Sequence, residues 1–230
     1  MKIGILQCGH APKALQTKHG DYADLYKALL SKYEFQFATY EVVSGKFPRN
    51  ACCADGWLIS GSKHATYEQH DWITSLEGFV RAIAKTNRPL IGVCFGHQII
   101  AQALGGIVTQ SPHGWTIGAT TYQTNSGPLV LNAWHQDQVI TKPPNAQVGA
   151  SNHRCKNAIL TYGDTIWTIQ AHPEFGVDFI RGLIDARKKD GIPSTLLTKA
   201  KAKLNESTDS AKVADYMTNF FARGVQSDAR

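Results

Sequence analysis

"PLIGVCFGHQII", Pro89 to Ile100, sets a run of strand-type apolar residues directly against a helix-type segment, with Cys94 at the junction between Gly92 and Gly96. A chain that turns from strand to helix through one residue forces that residue into a cramped backbone. Glycines two before and two after it remove the Cβ atoms that would clash. This is the strand–nucleophile–helix elbow, with sulfur in place of a hydroxyl. Cys94 is therefore read as a nucleophile, although most free cysteines are small buried hydrophobes.

A nucleophilic cysteine needs a base to populate its thiolate, and the base needs an orienting group. Among nine histidines, His172 stands out in Thr168-Ile169-Gln170-Ala171-His172-Pro173-Glu174-Phe175. A strand-type run delivers His172 and then Glu174. In an extended segment residues i and i+2 point to one side, and Pro173 stiffens the link between them. Glu174 would then accept from one ring nitrogen and fix the tautomer, while the other nitrogen faces the thiol.

Outward from the elbow, strand-type and helix-type segments alternate. Lys2 to Gln7, Phe35 to Val42, Gly56 to Ile59 and Leu90 to Val93 read as strands; Gly20 to Lys32, Asp71 to Thr86 and Gly96 to Leu104 read as helices, the last stopping at Gly105-Gly106. The pattern predicts an α/β fold with a parallel sheet covered on both faces. After Gly106 short β-type runs follow: Trp115 to Gln123, Leu129 to Trp134, Gln147 to Ser151, Ala158 to Tyr162 and Ile166 to Gln170. They are expected as antiparallel hairpins laid against the parallel core. From Val177 the texture is helical, broken at Gly191-Ile192-Pro193.

With 230 residues, 43% of them hydrophobic, one domain with a full core is expected, its core over about 1–185 and a helical tail over about 186–230. Apolar runs fall short of the ~18 residues of a membrane span, and the chain starts directly as a strand. A cytoplasmic protein that does not engage membranes is expected, with its five scattered cysteines reduced. The formal net charge of +6 comes largely from Arg187-Lys188-Lys189 and Lys199 to Lys203, which at helical spacing read as a solvated face. No nucleic-acid motif accompanies them. Neither a cofactor nor a metal is expected: Cys52-Cys53, His64 and His70 lack the usual ligand spacing.

Four motifs in order carry a family resemblance: Gly92-Val93-Cys94-Phe95-Gly96-His97-Gln98, Gly105-Gly106-x-Val108, Trp134-His135-x-Asp137 and His172-Pro173-Glu174. Together they resemble the class I, triad-type glutamine amidotransferases, from the first strand to about Phe175. Ser60-Gly61-Ser62 followed by Tyr67-Glu68 and Trp72-Ile73, Pro112-His113-Gly114-Trp115, His135 to Val139, and Thr208-Asp209-Ser210 in the tail are similar to the stand-alone GMP synthase-like members and the plant γ-glutamyl peptidases. The resemblance implies a flavodoxin-like three-layer sandwich with a mostly parallel central sheet and an added antiparallel hairpin layer. It also implies hydrolysis of a γ-glutamyl amide through a thioester on Cys94.

A tetrahedral oxyanion needs waiting N–H donors. Phe95 N–H, at a helix N-terminus, supplies one; the second is expected from the small-residue turn, Gly61 first and Ser62 as the alternative. The family implies that the glutamyl head lies near Gln98, one helical turn past the nucleophile, and near His135, with Ser62 beside them. Trp115 and Trp134 are expected as pocket walls and His97 as a packing residue.

A family with a similar elbow carries histidine directly after its cysteine, where this chain has Phe95. The papain order of Cys, His and Asn also fails. The expected substrate is glutamine, with γ-glutamyl peptides or glutathione conjugates as the rival set; a non-catalytic binding or regulatory subunit is the remaining alternative. The roughly 55 residues after Phe175 are few for a further domain, so any synthase that takes up ammonia is expected as a separate subunit.

Overall fold

The computed structural model describes residues 1–188 and 191–227; Lys189 of the basic cluster and the last three residues of the tail lie outside that range. The strands are β1 (Lys2–Leu6), β2 (Gln36–Tyr40), β3 (Gly56–Ile59), β4 (Leu90–Val93), β5 (Ile107–Gln110), β6 (Thr116–Thr124), β7 (Gly127–His135), β8 (Asp137–Thr141), β9 (Ala146–Ser151), β10 (Ile159–Tyr162) and β11 (Ile166–Ile169). The helices are α1 (Lys13–His19), α2 (Tyr22–Leu29), α3 (Asp71–Ala84), α4 (Phe95–Ala103), α5 (Val177–Ala186), α6 (Ser194–Ala202) and α7 (Ser210–Ser227).

Nine strands form one sheet in the order β2-β1-β3-β4-β11-β10-β9-β6-β7. The first five run parallel, as the alternation predicts, and β3 and β4 are buried along their whole length. Tyr26, Leu30, Met217 and Phe221 cover one face with Ile3, Ile5 and Val93. On the other face Ile73, Leu76, Val80 and Ile83 of α3 pack with Ile59, Leu90 and Ile100. Their 3-4-3 spacing is the apolar stripe of an amphipathic helix, and each fully buried aliphatic side chain contributes about 1.5–3 kcal/mol. The α/β, three-layer sandwich stands.

Three expectations need correction. The antiparallel strands do not form a separate layer: β10, β9, β6 and β7 continue the edge of the main sheet, because β10 pairs directly with β11. That half curls so far that Asn132 of β7 makes an antiparallel bridge back to His172. Second, β5 and β8 pair as a separate two-stranded sheet that the reading from residues leaves out, since each is short and borders a turn. Third, the segment before β2 holds two helices. Asp21 caps α2 in a reciprocal box with Asp24, which starts a new helix at Tyr22 and leaves α1 on its own.

At the elbow the two glycines act as expected. A Cβ on Gly92 would stand 2.5 Å from the Gly96 carbonyl oxygen, and one on Gly96 would overlap the Ile59 carbonyl oxygen. Both neighbours are backbone and cannot swing away, so α4 seats on β3 and β4 only without those methyls. Gly96→Ala is therefore expected to destabilise the protein by about 1–3 kcal/mol, the usual cost of overpacking, or more. Denaturant unfolding checks this, and an unchanged midpoint would mean that α4 has room to shift.

Candidate active site

β3, β4 and β11 are adjacent in the sheet, and each ends at the same edge in a residue of interest: Gly61 lies two past β3, Cys94 one past β4, and His172 three past β11. Ligands of open α/β sheets bind outside such carboxyl ends. Cys94 has φ +53° and ψ −104°, the one non-glycine residue with positive φ among those described. Its N–H donates to Ile169 O at 2.8 Å and its carbonyl accepts from Gln98 N–H at 3.0 Å. The strained residue is thus clamped on both sides, the mark of a constraint tied to a site.

His172 and Cys94 line the same cavity, and His172 Nδ1 lies 2.7 Å from Glu174 Oε1. The same oxygen accepts from the Tyr26 hydroxyl at 2.8 Å. His172 and Glu174 side chains are almost fully buried. Burial alone pulls the His172 pKa down, but the Glu174 carboxylate and the Cys94 sulfur outweigh it and lift the pKa to about 10. Phe175 lies flat on the imidazole, centroids 3.9 Å apart, and His172 N–H donates to Asn132 O at 2.8 Å. The His–Glu contact comes from a turn rather than an extended strand: β11 stops at Ile169, and Phe175 N–H closes back on the His172 carbonyl.

Cys94 and His172 floor a cavity of about 390 Å³ walled by Tyr22, Trp115, Trp134, His135 and Phe175. A family description, "Glutamine amidotransferase class-I", matches residues 22–178. The chain belongs to the class I glutamine amidotransferase family. It is 31% identical over 183 residues to γ-glutamyl peptidase 4 of Arabidopsis thaliana, covering 73% of each chain. With γ-glutamyl peptidase 2 of the same plant it shares 26% over 238 residues, covering 97% of this chain and 96% of the relative. The crystal structure of a glutamine amidotransferase from Methylobacillus flagellatus superposes with a TM-score of 0.76 at 19% identity, over 97% of this chain and 94% of the other.

In this family member the cavity gathers Gly61, Ser62, Cys94, Gln98, Trp134, His135 and His172 from four separate stretches of sequence. A Cβ on Gly61 would stand 3.1 Å from the His172 ring, which places the small-residue turn against the base. Several polar groups expected at the substrate already have protein partners. The Gln98 amide donates to Asp137 O at 2.9 Å and to Gln170 Oε1 at 3.1 Å. The Ser62 hydroxyl donates to Cys8 O. Reading from residues missed Tyr26, Gln170 and Asn132. Tyr26 sits on an amphipathic helix where a core aromatic is the ordinary expectation, and only the 148-residue jump to Glu174 gives it a polar partner. Among the described residues no helix is long and apolar enough to cross a membrane.

His97 and His135 are fully packed, and burial pushes both pKa values down to about 3. His97 Nδ1–H donates to Thr168 Oγ1, whose own proton goes to Leu160 O, and His135 Nδ1–H donates to the Asp137 carbonyl. Both rings are therefore neutral in the folded state. In the unfolded chain they protonate near the ordinary histidine value of about 6.5. Their contribution to stability is present above that value and lost as pH falls from about 6.5 toward 3, at about 1.4 kcal/mol per pH unit for each ring. His97→Gln is expected to flatten the pH dependence of the unfolding free energy in that window by about one proton. A slope equal to wild type would show that His97 is charged in the fold.

Proposed function

We propose that this chain hydrolyses γ-glutamyl amide bonds through a thioester on Cys94. The observation that carries the reading is the strained Cys94 elbow together with His172 on the floor of one cavity, the ring's Nδ1 2.7 Å from the buried Glu174 carboxylate. His172, held by Glu174, takes the thiol proton of Cys94 as the base. The thiolate attacks the γ-carbonyl carbon: a C–S bond forms and the carbonyl π electrons move onto oxygen. Collapse of that intermediate breaks the C–N bond, and His172 gives its proton to the leaving nitrogen. His172 then takes a proton from water as it attacks the thioester carbon. The C–S bond breaks, releasing the γ-carboxylate and restoring the thiolate.

Phe95 N–H, at the start of α4, is one oxyanion donor, where the helix dipole also favours negative charge. The second donor comes from the small-residue turn after β3, Gly61 N–H first and Ser62 N–H as the alternative. Glu174 and Tyr26 position the imidazole without touching substrate. Trp134, His135 and the Gln98 oxygen face the glutamyl head. The whole chain is read as one amidotransferase unit, since α7 sends Met217 and Phe221 into the core of the sheet that bears the site. The likeness to γ-glutamyl peptidase 2 over nearly the whole chain supports a leaving group bulkier than ammonia, a peptide or amine, released without a synthase partner.

Cys94→Ala is expected to abolish turnover of γ-glutamyl compounds while thermal unfolding stays near wild type, because the site is buried and the replacement is small. Wild-type-like turnover would remove Cys94 from the chemistry. His172→Ala should slow acylation by at least ~10², with Glu174→Gln and Tyr26→Phe costing progressively less, because each leaves more of the hydrogen bonding that aims the ring. An equal, negligible effect of all three would assign the base elsewhere.

The leaving group is tested on purified protein alone. Release of amines or dipeptides from γ-glutamyl peptides, with slow glutamine hydrolysis, is the expected result. Activity on glutamine only, and only once a synthase and ATP are added, would overturn the peptide reading.

A further inference from the structure

The loop between β3 and α3 forms part of the cavity rim and carries three side chains that converge on one point. His64 Nδ1 lies 2.6 Å and His70 Nε2 2.9 Å from the same carboxylate oxygen, Glu68 Oε2. One atom from each of the three lies within 4.8 Å of the others. The second carboxylate oxygen, Oε1, is held by Ala65 N–H at 2.9 Å, so the carboxylate cannot turn away. The rings are pinned as well. His64 and His70 pack edge to face with centroids 4.8 Å apart, and Trp72 lies against both. Thr66 anchors the loop to α4, its hydroxyl donating to Gln102 Oε1 while its carbonyl accepts from the same amide.

We infer that His64, Glu68 and His70 bind a divalent transition-metal ion, with Zn²⁺ the best match, at the rim of the Cys94 cavity. Two imidazoles and one carboxylate are borderline and hard donors of the kind Zn²⁺ takes, and three protein ligands leave at least one position open. Each ring would offer the lone pair of the nitrogen now facing Glu68 and keep its proton on the other. A tetrahedral ion with ligands at about 2.0–2.2 Å spaces them by about 3.3 Å, so His64 Nδ1 and His70 Nε2, now 2.6 and 2.9 Å from Glu68 Oε2, must draw back from it by about 0.4–0.7 Å while the two nitrogens, within 4.8 Å of each other, close on the ion. The side chains are 22%, 38% and 43% exposed, so an ion can enter from solvent. His64 and Glu68 also line the cavity, which gives the open position a way to meet a donor atom on a bound molecule. The spacing His-x₃-Glu-x-His matches no common ligand pattern, so the cluster is visible only once the loop is folded.

The test is direct binding of Zn²⁺ and Co²⁺ alone, by calorimetry and absorption, in the full chain carrying Cys94→Ala so that the cavity thiol cannot compete. One equivalent of Zn²⁺ is expected, with affinity reduced at least about tenfold when His64→Ala, Glu68→Gln and His70→Ala are added. The Co²⁺ spectrum should show d–d bands without a thiolate charge-transfer band, which separates this site from Cys52 and Cys53. His70→Ala alone, at an exposed position, should weaken binding at least about tenfold if the combined variant does not fold. Binding unchanged by these substitutions, a thiolate band, or no binding would overturn the proposal and leave Glu68 as a plain acceptor of two imidazole hydrogen bonds. Hydrolysis is not the readout, so this outcome and that of the Cys94 assignment are independent.

Discussion

The left-handed backbone of Cys94 is the constraint on which the site depends. A non-glycine residue at φ +53° costs on the order of 1–3 kcal/mol, and it persists only where the surroundings overdetermine it. Here the β4–β11 ladder holds its N–H and the first helical bond of α4 holds its carbonyl. The two glycines then let α4 sit closer to β3 and β4 than any side chain would allow. Relaxing the cysteine would mean unseating a helix that is buried on nearly every side. The packing energy of α4 thus keeps the sulfur at the top of the strand and leaves the Phe95 amide at the helix start.

A second requirement follows from burial. A carboxylate and an imidazole out of water are costly unless each is paired and hydrogen-bonded. The structure meets this in part, by convergence on one oxygen: Glu174 Oε1 takes the His172 ring on one side and the Tyr26 hydroxyl on the other, while Oε2 is buried without a hydrogen-bond partner. Phe175 presses flat on the ring and Asn132 holds its backbone. The imidazole is therefore fixed from α2, from β7 and from its own turn, and it has little freedom except along the line to the sulfur.

What was legible in the sequence was local. A strand, a cysteine between glycines and a helix stand within twelve residues, which marks Cys94, and only beside that elbow does a histidine two before a glutamate single out His172 and Glu174. The alternation of short apolar runs with amphipathic ones suffices for the parallel half of the sheet. What was not legible depends on pairing across long distances. The β5–β8 ribbon forms only because Val108 meets Val139, and Gln98 spends its amide on Asp137 and Gln170. Nothing near Tyr26 in the chain distinguishes it from a core aromatic, and nothing near His64 announces that Glu68 and His70 will share its point in space.

The wall of the site shows why the tail belongs to the same argument. Strand ends supply Cys94 and His172, but a cavity also needs a far side, and that side is β7, whose Trp134 carbonyl lies 4.0 Å from the Cys94 sulfur. β7 is the last strand of the sheet, and an edge strand with one hydrogen-bonding side unpaired is free to fray. Asp209 occupies that side at Val130: its carboxylate accepts the Val130 N–H and its own N–H donates to the Val130 carbonyl, both at 2.7 Å. On β6, Ala200 of α6 packs against Gly118, where a side chain would meet it at about 3.0 Å. Asp209 and Ala200 both lie beyond residues 22–178, the span that matches the family. The part of the chain that matches the family is therefore held in shape by a part beyond the match, and the edge strand whose Trp134 carbonyl faces Cys94 is closed by the tail.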